Sequence, residues 1–67
     1  MAITYSLRTP PEPPLGTRVM DAQGFIYEHW GHDHRYSLDD LWEAEDGSYV
    51  GTWRELLEDR GVLTLID

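Results

Sequence analysis

The sequence predicts an α+β fold: a small antiparallel β-meander of three or four strands, one helix at about 53–60 packed on one face, and a final C-terminal strand. Three observations carry this expectation. Thr52 and Glu55 have the spacing of a capping box, and Gly61 follows as a stop. Asp21-Ala-Gln-Gly24 has the composition of a tight hairpin loop. Val62-Leu-Thr-Leu-Ile66 is a short apolar run with the residue types of a strand. The same elements closed into an SH3-like, partly open barrel are the alternative architecture.

The helix is the best-specified element. In a capping box the Thr52 hydroxyl takes the Glu55 amide proton, and the Glu55 carboxylate reaches back to the Thr52 amide. Trp53, Leu56 and Leu57 follow the i, i+3, i+4 spacing and require cover, while Glu55, Glu58 and Asp59 suit water.

Two hairpins precede it. A three-residue loop with Gly24 in the left-handed position pairs Asp21 with Phe25, Met20 with Ile26, Val19 with Tyr27 and Arg18 with Glu28. A two-residue turn at Gly31-His32 would pair Trp30 with Asp33, His29 with His34, Glu28 with Arg35, Tyr27 with Tyr36 and Phe25 with Leu38. One face then carries Val19, Phe25, Tyr27, Tyr36 and Leu38 and receives the helix. The other carries an Arg18–Glu28–Arg35 ladder beside Met20, Ile26 and Trp30.

Residues 37–51 admit two readings. Ser37 and Asp40 form a second possible capping box before Leu41 and Trp42, whereas Asp46-Gly47 suits a type I′ hairpin between Leu41–Glu45 and Ser48–Gly51. The expectation leans to a short helical or irregular turn leading into an extended Ser48–Val50. Residues 1–14 read as a flexible or extended Pro-rich N-terminal arm, with 15–67 a single domain. The four prolines within 10–14 favour extended polyproline geometry, and alternating Ile3, Tyr5 and Leu7 could equally add an edge strand.

At 67 residues the chain is near the size where one core only just offsets chain entropy, and with no cysteine neither disulfides nor thiolate metal sites can supplement it. Three Trp, four Tyr and one Phe supply the apolar area instead. No apolar run is long enough to span a membrane and no secretory pattern opens the chain, so a cytoplasmic location is expected. The net charge of −8 disfavours direct contact with nucleic acid or anionic lipid. The charge is lopsided, because residues 39–59 hold eight acids against Arg54 alone.

The order Pro-Pro-Glu-Pro-Pro-Leu-Gly-Thr-x-Val, then Asp-x-x-Gly-x-x-Tyr, then Thr-Trp-x-x-Leu-Leu-x-x-x-Gly-x-Leu resembles short open reading frames of unknown function from actinobacteriophages and their hosts. The resemblance spans roughly residues 10–66. It implies a phage or actinobacterial origin, hence action inside the host cell, and no mechanism.

For chemistry, His29-Trp-Gly-His32-Asp-His34 is the one cluster with metal-ligand types close together. Paired across the Gly31-His32 turn, His29 and His34 could share Zn²⁺ with His32 or Asp33. The spacing matches no zinc signature, so solvated histidines and no metal are expected. No nucleophile elbow or Gly-rich phosphate loop is present, and Asp39-Asp40 or Glu58-Asp59 suit a solvated face better than acid–base work, so no enzymatic activity and no cofactor are expected. The expected function is a small acidic protein-interaction module, a phage-encoded protein acting on a host protein. Candidate contact residues are Trp30, Met20, Ile26, Arg18 and Arg35 on one face and Asp39, Asp40, Glu43 and Glu45 in the acidic stretch. Two further readings are a structural or self-assembling component pairing through an unprotected Val62–Ile66 edge, as monomer or homodimer, and a DNA mimic whose carboxylates imitate phosphates.

Overall fold

The computed structural model describes residues 3–8, 12–32 and 40–66. In chain order the elements are β1 (Thr4–Tyr5), β2 (Arg18–Met20), β3 (Ile26–Gly31), β4 (Leu41–Ala44), β5 (Val50–Thr52), α1 (Trp53–Arg60) and β6 (Leu63–Leu65). The class is α+β, but with six strands rather than three or four. They form one antiparallel sheet in the order β1-β6-β2-β3-β4-β5.

The first hairpin has the register its side chains dictate: Arg18 opposite Glu28, Val19 opposite Tyr27 and Met20 opposite Ile26. Gly24, at φ +93°, takes the left-handed position that a side chain would strain. Asp21 does more than start the turn. Its Oδ1 accepts the amides of Gln23 (2.9 Å) and Phe25 (3.0 Å), and Oδ2 accepts the buried Tyr27 hydroxyl at 2.8 Å.

The second hairpin departs from expectation. β3 pairs with β4: Tyr27 lies opposite Ala44, Glu28 opposite Glu43, His29 opposite Trp42 and Gly31 opposite Leu41. Gly31 is not the head of a two-residue turn. It ends β3 at φ +122°, just after a bulge that leaves Trp30 without a partner on β4. Phe25, expected inward, is 46% exposed: it shares the parity of Tyr27 but precedes β3 at the end of the hairpin loop, where its carbonyl closes the turn on the Asp21 amide. Asp33, His34, Arg35, Tyr36, Leu38 and Asp39 lie outside the described residues.

Residues 41–52 are a hairpin, not the short helical or irregular turn favoured from sequence. The Gly47 amide bonds the Ala44 carbonyl and the Ala44 amide bonds the Tyr49 carbonyl, both at 2.9 Å, closing a four-residue loop over 45–48. Asp46 Oδ1 accepts both the amide and the hydroxyl of Ser48, which fixes the loop locally. Alternation wins over the helical spacing of Leu38, Leu41 and Trp42 because Trp42 and Ala44 share the buried side of β4.

The helix has the expected bounds. Both capping-box bonds are present, Glu55 N–H to Thr52 Oγ1 at 3.2 Å and Thr52 N–H to Glu55 Oε1 at 2.9 Å, and the Gly61 amide closes the last turn on Leu57. α1 packs on β4 and β5. Leu56 and Leu57 join Val19, Tyr27, Trp42, Ala44 and Leu63 in the core, with Tyr5, Tyr49 and Trp53 packed against it. Among the described residues no helix is long and apolar enough to cross a membrane.

β6 is not an exposed edge. It lies between β1, with Thr4 opposite Thr64 and Tyr5 opposite Leu63, and β2, with Val19 opposite Leu65. The Val62–Ile66 run, expected to offer an unprotected edge, has its strand Leu63–Leu65 paired on both sides. Thr4 and Tyr5, from the segment read as an arm, thus lie in the sheet, and Tyr5 meets the Trp53 ring edge-on at 5.5 Å.

Candidate functional site

β3 divides two candidate sites, since neighbouring residues on a strand face opposite ways. Towards the helix it presents Tyr27 and His29, both buried. Away from it, β3 presents Ile26, Glu28 and Trp30.

The outward face is assembled by β2, β3 and β4. Met20 and Ile26 pair and are half-buried, while Trp30 is 54% exposed. Arg18 reaches over to Glu45, Nη1 to Oε2 at 2.8 Å, across an exposed surface where such a pair adds little stability. Of the expected Arg18–Glu28–Arg35 ladder, the Arg18–Glu28 step is present. The position opposite Glu28 allotted to Arg35 belongs to Glu43, so two carboxylates face each other across β3 and β4. Like charges directly opposite in an antiparallel pair are destabilising. Neither Glu28 nor Glu43 makes an ion pair among the described residues. With Trp30, Ala44, Glu45 and Gly47 they line an open groove of about 400 Å³. Of the candidate contact residues, the structure therefore brings Trp30, Glu43 and Glu45 to one place with Glu28, which sequence reasoning had treated only as a ladder partner.

Asp40 belongs elsewhere. It sits on the helix side of the sheet with His29, whose ring is only 5% exposed, so the expectation of solvated histidines fails here. His29 faces Trp42, not His34, and stacks on its indole with centroids 4.8 Å apart and planes 16° from parallel. The imidazole Nδ1 is 2.8 Å from the Pro13 carbonyl oxygen, and Nε2 is 2.7 Å from Asp40 Oδ2 and 3.3 Å from Glu12 Oε2. The Trp42 indole N–H donates to that same Glu12 oxygen at 2.6 Å. Trp53 extends the stack, its ring centroid 4.6 Å from that of Trp42. Glu12 and Asp40 also border a cleft of about 250 Å³ with Thr52, Trp53 and Arg54. The only sequence signal for Glu12 was a lone charge inside a proline run.

Comparison of the chain with family models, with curated proteins and with solved structures finds no match in any of the three.

Proposed function

We propose that this protein is a small, non-enzymatic protein-interaction module, phage-encoded and acting on a host protein, whose outer sheet face takes an Arg- or Lys-bearing segment of that partner. The observation that carries this reading is the juxtaposition of Glu28 and Glu43, neither of them in an ion pair among the described residues, beside the exposed indole of Trp30. A cationic side chain entering the groove relieves the carboxylate repulsion and lies against the aromatic ring best suited to cation–π contact. Met20 and Ile26 supply adjoining apolar area, and Arg18, already engaged with Glu45, closes one flank. The net charge of −8 favours encounter with a basic partner before any contact forms.

A fluorescent peptide of alternating Arg and Leu, titrated with the protein and followed by anisotropy, tests this. A hot-spot contribution predicts that Trp30→Ala weakens binding by ~30-fold. Glu43→Gln weakens it by ~10-fold, and Glu58→Gln, which removes the same charge from the exposed helix face, has little effect. Equal losses from Glu43→Gln and Glu58→Gln, with none from Trp30→Ala, would mean that only overall charge attracts the peptide and would refute the site.

A further inference from the structure

Glu12, His29 and Asp40 come from three separate segments, yet one ligand-type atom of each lies within 4.8 Å of the other two. The ring of His29 has no freedom of role. A carbonyl oxygen only accepts, so the bond to Pro13 requires the proton on Nδ1 and leaves Nε2 turned towards Asp40 and Glu12. Ionised carboxylates also only accept. The space between Nε2 and the two oxygens therefore needs a positive charge, either a proton or a metal ion.

The surroundings fit the second occupant. A ring nitrogen locked onto a backbone carbonyl, and a ligating carboxylate held by a further donor, are the supports that orient ligands in metal centres. Here the Pro13 carbonyl and the Trp42 indole N–H fill those two roles. The stacked indole fixes the imidazole plane. The cleft beside Glu12 and Asp40 provides an entry path and room for water as a further ligand.

We infer that Glu12, His29 and Asp40 form a binding site for a divalent first-row transition metal, with Zn²⁺ as its type ion, ligated through His29 Nε2 and one oxygen from each carboxylate. The imidazole selects against Ca²⁺ and Mg²⁺, which take oxygen ligands, and the absence of thiolate selects against Cu(I). This site differs from the His29, His32 and His34 grouping suggested by sequence and lies on the opposite side of the sheet from the proposed partner groove. The ion clips the segment at Glu12 to β3 and to the entrance of β4.

Metal-free protein titrated with Co²⁺ should develop visible d–d absorption that saturates at one ion per chain, with paramagnetic broadening of amide resonances centred on His29. Zn²⁺ at about 100 times its Kd should raise Tm by ~10 °C or more, and Mg²⁺ should not. Asp40→Asn and Glu12→Gln preserve shape and should each weaken binding by ~10-fold or more. Absence of the Co²⁺ band and of the Zn²⁺ shift in the parent would overturn the assignment. Broadening centred away from His29 would overturn it as well, and that readout needs no variant to fold. Binding abolished by His32→Gln with His34→Gln, and unchanged in Asp40→Asn, would move the metal to the hairpin end and equally overturn it.

Discussion

Asp21→Ala removes one acceptor from three donors at once, two amides and the Tyr27 hydroxyl. Tyr27 is 1% exposed, so its hydroxyl cannot turn to water. A buried donor left unpaired costs ~1–3 kcal/mol, and a hydrogen bond to a charged acceptor contributes ~1.5–3 kcal/mol. The expected loss is about 3 kcal/mol, against a total of roughly 3–10 kcal/mol for a chain of this length. The pair also predicts pH behaviour with opposite signs. Burial works to raise the Asp21 carboxyl, but the Tyr27 hydroxyl and the Phe25 and Gln23 amides outweigh it and hold it below its ordinary 3.8. Its contribution is complete above that value and is lost as pH falls through the lower folded value. Tyr27 is pushed up from 10.0 to about 12, first by burial and then by its bond to the Asp21 carboxylate. Its contribution, on the order of 3 kcal/mol, is complete below about pH 10 and is lost as pH rises towards 12. Urea unfolding at roughly pH 7 and roughly pH 11.5, on the parent, Asp21→Ala, Tyr27→Phe and the double variant, measures both effects. Tyr27→Phe should cost ~1–2 kcal/mol at neutral pH, flatten much of the alkaline loss, and couple to Asp21→Ala by ~1–2 kcal/mol. Tyr49, raised by burial and by its bond to Asp59, supplies the remaining alkaline slope. An Asp21→Ala variant within ~0.5 kcal/mol of the parent, or an unchanged alkaline slope in Tyr27→Phe, would refute the argument.

Leu57→Ala should cost ~2–5 kcal/mol in the same assay, because the side chain is buried between helix and sheet; a parent-like midpoint would mean the helix does not pack there. Thr52→Ala should cost ~1 kcal/mol by removing one capping bond, while Thr52→Ser, which keeps the hydroxyl, should retain most of it.

How much of this could be read from sequence depended on how local the information was. The helix is specified within ten residues by Thr52, Glu55 and Gly61, and the first hairpin by Asp21 and Gly24, whose turn chemistry fixes the register outright. Between them, Gly31-His32 and Asp46-Gly47 both signal turns. Only the second makes one, because Gly31 instead relaxes the backbone after the Trp30 bulge. Ala44 hides the strand pattern of β4, being too small to register as a core residue although it is buried opposite Tyr27. Trp30 and Glu43 were legible as candidate contacts, but their convergence with Glu28 follows only from the β3–β4 register. The His29 cluster had no local signature, since its carboxylates arrive from residues 12 and 40, distant in the chain on either side.

The position of β6 sets an order on folding. β2 to β5 are joined through neighbours in sequence and can pair as they are synthesised, at little cost in loop closure. β1 is made first and waits longest, because its one sheet partner among the described residues is the element made after all the others. Until Leu63–Leu65 arrive, β1 has nothing to bond and the outer edge of β2 is bare, a surface on which nascent copies can pair with each other. β6 therefore acts as a latch. A chain interrupted after the helix would carry an unpaired β1 and a bare outer edge on β2, and degradation or aggregation would separate it from the finished protein.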